Sequence, residues 1–439
     1  MALTYSLRYK KLNFFNKVVI EKEGEIVIDR QSFRLKGKGA QDQGEIIYFG
    51  DMKEMYIKED MLSFTTYGKD RFVLSNFSNL FESFLKDFLR VRNEYLADTL
   101  FMKSGMLMKE YEGSVELVNV HGRTIPKGKS KIQFYEGSVV IVPETRECFV
   151  VYLNFLKNHE FDEEDYELRL FLDNGQVINI SKLGTSFEDV QETMENLLGS
   201  LYEKIINFMN DSMPEFDAGT LLQLAKYLKG GRFVKFNSLK KIHEDMPGKV
   251  EQLAFANNPA MEEKVRVLRR KGGDENLYVS FSFSKQVDSR DIDVRSWFLF
   301  TMPEENVITL GQTSDPNDNN IYFFKIIMQQ GDPLEKLNAK ILEIEQSLLI
   351  FKFDMTPVCK DRKELRRTKF RTASKRLSFL RLLRKSYLQR STTSDIKQFE
   401  KDLTQIFNMA RPVVKKRLET KSQSEEEAKV AVKKVKKDS

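Results

Sequence analysis

Thirteen lysines and arginines stand between Lys360 and Arg390 against two acids, Asp361 and Glu364, a net +11 in a chain of net +6. Two carboxylates cannot neutralise that many cations, so the stretch repels itself unless something acidic approaches. The chemistry on offer is electrostatic: guanidinium and ammonium groups hold carboxylates or phosphates by charge-assisted hydrogen bonds. The residues expected to do so are Lys363, Arg366, Arg367, Lys369, Arg371, Lys375, Arg376, Arg381, Arg384 and Lys385. On nucleic acid such groups displace counterions, so affinity falls steeply with salt. Phe370, Ala373, Leu377, Leu380 and Leu383 recur at helical spacing, but Arg381 and Arg384 fall on nearly the same side. Charge thus surrounds the helix, which disfavours a membrane-lying amphipath. Two other readings stay open: a solvated helix, or one docked on an acidic surface of its own chain. Glu160–Asp165, with five acids in six positions, is one such surface, and a solvated hairpin tip explains it equally well.

The remaining reactive side chains do not converge. His121, His159 and His243 share no ligand spacing, and Cys148 and Cys359 form no C-x-x-C pair. Gly37-Lys-Gly39 and Lys127-Gly-Lys129 hint at phosphate contact but match neither a Walker loop nor a dinucleotide fingerprint. Trp297-Phe-Leu-Phe300 and Tyr322-Phe-Phe324 could stack on bases, yet apolar runs this dense read as core. No catalytic residue, metal or cofactor is assigned, and the chain is expected not to be an enzyme.

The positioning elements begin with short strand-like runs divided by turn residues: Lys17–Ile20, Glu25–Asp29, Ser32–Lys36, Glu45–Phe49, Glu54–Ile57, Leu62–Thr66 and Phe72–Ser75. This spacing predicts an antiparallel sandwich or barrel. A helix follows, with Phe81, Phe84, Phe88, Val91 and Tyr95 on one face; Asn79 is its expected cap, with Glu82 closing a capping box. The scheme then repeats. Val115–Val118, Lys131–Tyr135, Val139–Val142, Phe149–Leu153, Glu167–Leu172 and Val177–Ser181 lead into a helix carrying Phe187, Val190, Met194, Leu197 and Leu201 behind an expected Thr185/Glu188 box. Ser75, Phe81 and Glu82 align with Ser181, Phe187 and Glu188 at an offset of 106, so the two halves read as a duplication. A third, looser junction joins Ile321–Ile327 to an expected cap at Asp332 with Pro333 behind it.

About seven strands closed by one helix in roughly 100 residues resembles the pleckstrin-homology and GRAM superfamily, over Asn16 to about Asn210. The resemblance implies non-catalytic modules that bind phosphoinositides, peptides or histones. It implies a lipid site among basic residues of the first strand-connecting loop. Arg30, Arg34, Lys36 and Lys38, or Arg123, Lys127, Lys129 and Lys131, occupy that place without matching a strict pattern, and no lipid site is carried onto them.

Beyond a linker at Met213–Asp217 the order changes. Helices are expected at Leu221–Leu228 and Val250–Leu268, broken near Asn257-Asn-Pro259, then strands at Tyr278–Phe283, Trp297–Phe300, Val307–Leu310 and Ile321–Ile327, then a helix bearing Leu334, Leu337, Ile341, Ile344 and Leu348. Asp395–Ala410 reads as a last helix. The expected fold class is therefore α+β: two tandem antiparallel barrel or sandwich modules, each closed by a C-terminal helix, then a third α+β domain and a basic helical extension. The divisions are 1–110, 111–212, 218–356 and 357–410, with 411–439 as a disordered tail. Met1–Lys11 lacks an apolar signal core, no run approaches the roughly 18 apolar residues of a membrane span, and the two distant cysteines fit a reducing compartment. A cytoplasmic, non-catalytic scaffold is expected: its modules bind protein or peptide and its basic helix an anionic partner, nucleic acid among them. The alternative is a membrane-recruited protein reading anionic headgroups.

Overall fold

The computed structural model of the chain describes residues 3–39, 42–285, 292–326 and 334–411. The expected Asp332–Pro333 junction and the tail from residue 412 lie outside the described residues.

Leu3, Tyr5, Leu7 and Tyr9 alternate with more polar residues, and that period of two makes β1 (Leu3–Leu12) a strand with one face inward. It is followed by β2 (Val18–Ile28), β3 (Ser32–Gly37), β4 (Glu45–Tyr48), β5 (Met52–Lys58), β6 (Met61–Thr66) and β7 (Arg71–Ser75). The sheet order is β4-β3-β2-β1-β7-β6-β5, with β1 paired antiparallel to both β2 and β7. Lys11 on β1 bridges Glu45 at 2.6 Å and Asp70 at 3.2 Å, which draws β4 toward the start of β7 and curls the sheet. Helix α1 (Phe81–Thr99) closes it, packing Phe84 and Phe88 against Phe33, Phe49, Phe64 and Phe72.

The second module repeats this layout: β8 (Leu107–Val118), β9 (Thr124–Tyr135), β10 (Ser138–Pro143), β11 (Phe149–Tyr152), β12 (Leu156–Asp162), β13 (Glu167–Leu172), β14 (Val177–Ser181) and the closing helix α2 (Phe187–Ser212). Its order, β11-β10-β9-β8-β14-β13-β12, matches the first strand for strand. The expected capping boxes are not formed. α1 starts at Phe81 behind Leu80, and α2 at Phe187 behind Ser186 and a 3-10 turn, neither with a side-chain cap. Packing sets the helix start instead: Phe77 stacks on Phe84 at 4.2 Å and lies 5.4 Å from Phe81, and Leu183 is buried ahead of Phe187.

The third unit is α+β. α2 runs past its own module, and its last turns, with Ile205 and Met209, enter the third core. The chain continues through α3 (Ala218–Leu228), β15 (Val234–Lys235), α4 (Met246–Phe255), α5 (Pro259–Gly272), β16 (Leu277–Lys285), β17 (Ile292–Met302), β18 (Val307–Gln312), β19 (Ile321–Lys325) and α6 (Leu334–Ile350). Four short helices follow, α7 (Thr356–Cys359), α8 (Arg362–Leu365), α9 (Arg371–Arg376) and α10 (Ser378–Ser386), then β20 (Tyr387–Ser391) and α11 (Ile396–Ala410). The basic stretch is thus helical, but in pieces that end in a strand. That strand pairs with β19 and completes a meander ordered β15 to β20. The division at 356/357 therefore falls inside one folded unit rather than between two.

Both faces of this sheet are covered. Phe298, Phe300 and Phe323 pack with α3, α4, α5 and α11; Trp297, Leu299 and Phe324 pack with α6 and α10 and with Leu96 and Val140 of the first two modules. Double coverage explains why Trp297–Phe300 is apolar at every position.

Candidate anion-binding site

Asp361 and Glu364, the two acids of the basic stretch, do not neutralise its arginines. The Asp361 carboxylate accepts the Lys363 and Glu364 amides at 2.6 and 2.9 Å, and Glu364 accepts the Asp361 amide at 2.9 Å, a capping box on α8. The Glu364 and Lys363 amides help hold the Asp361 carboxyl below the usual carboxylate range. Such a bond competes with a salt bridge for the same oxygens, which leaves the neighbouring cations to find partners elsewhere.

Three of them do so inside the chain. Arg371 reaches Asp51 at 3.1 Å, and Lys375 also binds Asp51. Arg376 binds Glu147 of the β10–β11 loop and donates to the Met52 carbonyl. Arg384 donates to the Pro357 carbonyl of α7, just ahead of the stretch. The apolar strip supplies the other half of the docking: Phe370, Ala373, Leu380 and Leu383 are buried as their spacing predicts, and Phe370 stacks on Phe101 at the end of α1 at 5.6 Å. The reading of a segment docked on its own chain therefore holds for Arg371, Lys375 and Arg376. Their partners are Asp51 and Glu147, not Glu160–Asp165, whose Asp162 turns back to Arg169 at 3.1 Å and forms a hairpin tip.

The remaining cations stay at the surface. Lys363, Arg367 and Lys385 are exposed, and Lys369 lies over the Phe370 ring at 5.0 Å. Arg366 and Arg381 line a cleft of about 570 Å³ between the short helices and the first module, together with Arg362, Arg371 and Lys375. Its opposite wall is β4 and the β6–β7 turn, from Glu45 to Tyr48 and from Thr66 to Asp70. That volume falls in the range of small-ligand and peptide clefts, roughly 300–1,000 Å³. Arg371 crosses the gap to lie 5.0 Å over the Tyr48 ring. Among the described residues, no carboxylate lies within ion-pair distance of Arg362, Arg366 or Arg381, although Glu45 and Asp70 on the far wall are held by Lys11.

Sequence reasoning therefore placed Arg366, Arg371, Lys375 and Arg381 together, and missed Arg362 and the strand facing them. Arg362 had a readable signal, since it directly follows a cap. The β4 wall had none, because more than 300 residues separate it from the arginines and only tertiary packing unites them.

The other reactive groups lie apart. Burial pushes the Cys148 thiol up to about 12, with Met102 sulfur 3.7 Å away. Both cysteines are free thiols. His243 packs edge-on against Phe216 at 5.0 Å and His159 against Phe161 at 5.5 Å. Among the described residues no helix is long and apolar enough to cross a membrane. No protein-family model matches the chain, and no curated protein matches it.

Proposed function

We propose that this chain is a non-catalytic binding protein that holds an anionic partner in the cleft between its first module and its basic helices. Arg362, Arg366 and Arg381, which line one cleft with no carboxylate partner among the described residues, carry this reading. Burying charge without a partner is costly, so arginines at a concave surface remain hydrated until an anion enters. The two modules are read as pleckstrin-like on their common strand order and closing helix, and serve as the frame. Free thiols at Cys148 and Cys359 fit a reducing, cytoplasmic setting.

The test is a salt titration of fluorescein-labelled poly-L-glutamate and single-stranded DNA on the full chain, with a variant carrying Arg362→Gln, Arg366→Gln and Arg381→Gln. At about 0.5 kcal/mol for each exposed pair, the three changes together weaken binding roughly tenfold, with the melting temperature unchanged. Absence of binding to either polyanion at low salt would overturn the proposal.

A second reading, recruitment to anionic membranes, is favoured by the β1–β2 hairpin. Phe14 and Phe15 at its tip are 67% and 77% exposed, the Asn13 side chain pins the turn through the Phe15 and Lys17 amides, and Lys69 lies 5.0 Å over Phe14. Apolar rings ringed by lysine suit an anionic interface. Pelleting with phosphatidylserine vesicles, lost on Phe14→Ser with Phe15→Ser, separates this reading from the first.

A further inference from the structure

β4 is an edge strand, paired on one side only, to β3. The Phe49 amide donates to the Gln31 carbonyl at 3.1 Å, and the register continues through Phe33↔Ile47 and Leu35↔Glu45. In an antiparallel ladder alternate residues exchange both bonds with the neighbour and the residues between them face the other way. Ile46 and Tyr48 therefore turn their N–H and C=O groups away from β3, toward the cleft. Their side chains are 49% and 42% exposed; the Tyr48 carbonyl begins the 3-10 turn Phe49–Asp51, while among the described residues no strand is paired to the Ile46 N–H and C=O or to the Tyr48 N–H.

The duplication supplies an internal comparison. β11 stands in the same place in the second module, with Leu153 N–H donating to Gly137 O at 3.1 Å and Val150 and Tyr152 at the positions of Ile46 and Tyr48. There the side chains are covered, although β11 is also an edge strand: Val150 and Tyr152 pack into the core shared with the third unit, and the Tyr152 hydroxyl donates to the Phe101 carbonyl at 2.9 Å. The same edge in the first module is left uncovered by the chain. Proteins ordinarily protect an open edge with charge, proline or a covering segment. Here the covering segment stands off by the width of the cleft and presents arginines across it.

Resting on the cleft reading above, we propose that β4 accepts an added strand from an acidic partner polypeptide, whose carboxylates at alternate positions meet Arg362, Arg366 and Arg381. Strand addition supplies backbone hydrogen bonds for affinity and alternate side chains for specificity. A nucleic acid would satisfy the arginines but leave the Ile46 N–H and C=O and the Tyr48 N–H without a strand partner. A vesicle surface is too broad to enter a recessed cleft.

The probe is a fluorescein-labelled ten-residue peptide of alternating Glu and Val, measured by anisotropy on the full chain at low salt. Two further versions carry backbone N-methyl groups on the odd or on the even amides, which blocks one edge of the peptide strand while preserving its charge. One methylation pattern is expected to weaken binding tenfold or more, and the other to change it less than twofold. Ile46→Pro, which removes an outward N–H and spares the β3 ladder, should reproduce the loss with an unchanged melting temperature. Equal effects of the two methylation patterns, with binding still lost in the triple arginine variant, would overturn strand addition and leave the cleft reading intact. Tighter binding of single-stranded DNA than of the peptide through the same arginines would overturn the choice of a polypeptide. Failure of both the peptide and poly-L-glutamate to bind would remove the cleft reading itself.

Discussion

Arg92 of α1 and Glu147 of the β10–β11 loop meet across the junction of the first two modules, with Arg92 Nη2 2.6 Å from Glu147 Oε2. The Arg92 side chain is 1% exposed, and the second Glu147 oxygen binds Arg376 from α9. One carboxylate thus fastens a helix, a loop and the basic stretch. Burial pushes the Glu147 carboxyl upward, but Arg92 and Arg376 outweigh it and hold the group below its ordinary 4.5.

Glu147→Gln should therefore destabilise the chain and loosen α9 from the first module. Stranding a buried charge costs about 3–5 kcal/mol, and because 38% of the Glu147 side chain reaches solvent the expected loss is nearer 2 kcal/mol. With a folded pKa below the unfolded one, the carboxylate's contribution is present above about pH 4.5 and disappears as pH falls through the folded value. Chemical denaturation at pH 7 and pH 3 should show the gap between wild type and variant closing in acid; a gap independent of pH would refute the linkage.

Glu345 makes the corresponding tie between the second and third units. Its carboxylate is 2% exposed and accepts Arg232 Nε at 3.0 Å and the Phe233 amide at 2.6 Å, while Arg232 also binds Asp173 of the second module. Glu345→Ala leaves the buried Phe233 amide without its acceptor and the Arg232 guanidinium with Asp173 as its remaining carboxylate, and should lower stability by roughly 3 kcal/mol in urea denaturation. Gly231→Ala should act at the same place, because its Cβ would lie 2.4 Å from Leu349 at a backbone φ of +119°. A neutral result for both would show that this junction contributes nothing.

Lys264 in α5 is fully buried, donates to the Asn319 carbonyl at 2.9 Å, and is pushed down to about 8 by burial, with Asp318 and Asp402 only partly opposing the shift. Between about pH 8 and 10.5 the unfolded lysine holds a proton that the folded one has released, so stability rises with pH across that window. Relative to Lys264→Met, wild type should gain up to about 3 kcal/mol from pH 7.5 to 10, at 1.36 kcal/mol per unit. A constant difference across that range would contradict the buried ammonium.

A chain ending at residue 356 loses β20 and α11, and with them Phe399, Leu403 and Ile406 of the third core. Removing buried aliphatic and aromatic side chains costs about 2–5 kcal/mol each, more than an ordinary domain's margin when several go together. The shortened chain should elute as aggregate in size-exclusion chromatography, whereas one ending at residue 411 should remain well behaved. A monodisperse 1–356 protein would show that β20 is dispensable.

Much of this fold was legible where burial leaves a period. The helical faces of α1, α2 and α6 follow from their apolar spacing, and the break between α4 and α5 follows from Asn257-Asn-Pro259. β12 was not, because only Leu156 of its residues is buried and pairing with β13 alone makes it a strand. β1 carried an alternating signal in Leu3 to Tyr9 that went unused, and the runs at Lys17–Ile20 and Glu25–Asp29 are parts of one strand, β2, whose exposed half has no apolar period. For the site, a charge count located the arginines, but their division between Asp51, Glu147 and an open cleft depends on contacts more than 200 residues apart, which composition cannot encode.

The late arrival of β20 also sets an order in time. Each of the first two sheets closes only when its seventh strand, about 60 residues on, pairs with its first. In the third sheet about 60 residues likewise separate β19 from β20, the strand on its second side. At roughly 5–20 residues per second, a ribosome needs some 3–12 seconds to supply that interval. Throughout it, β19 with Phe323 and Phe324 has a vacant side. Loop-closure entropy makes such a distant pairing slow as well. Slowing translation across residues 326–386 should therefore lengthen the exposure of β19 to chaperones without altering the final thermodynamic stability.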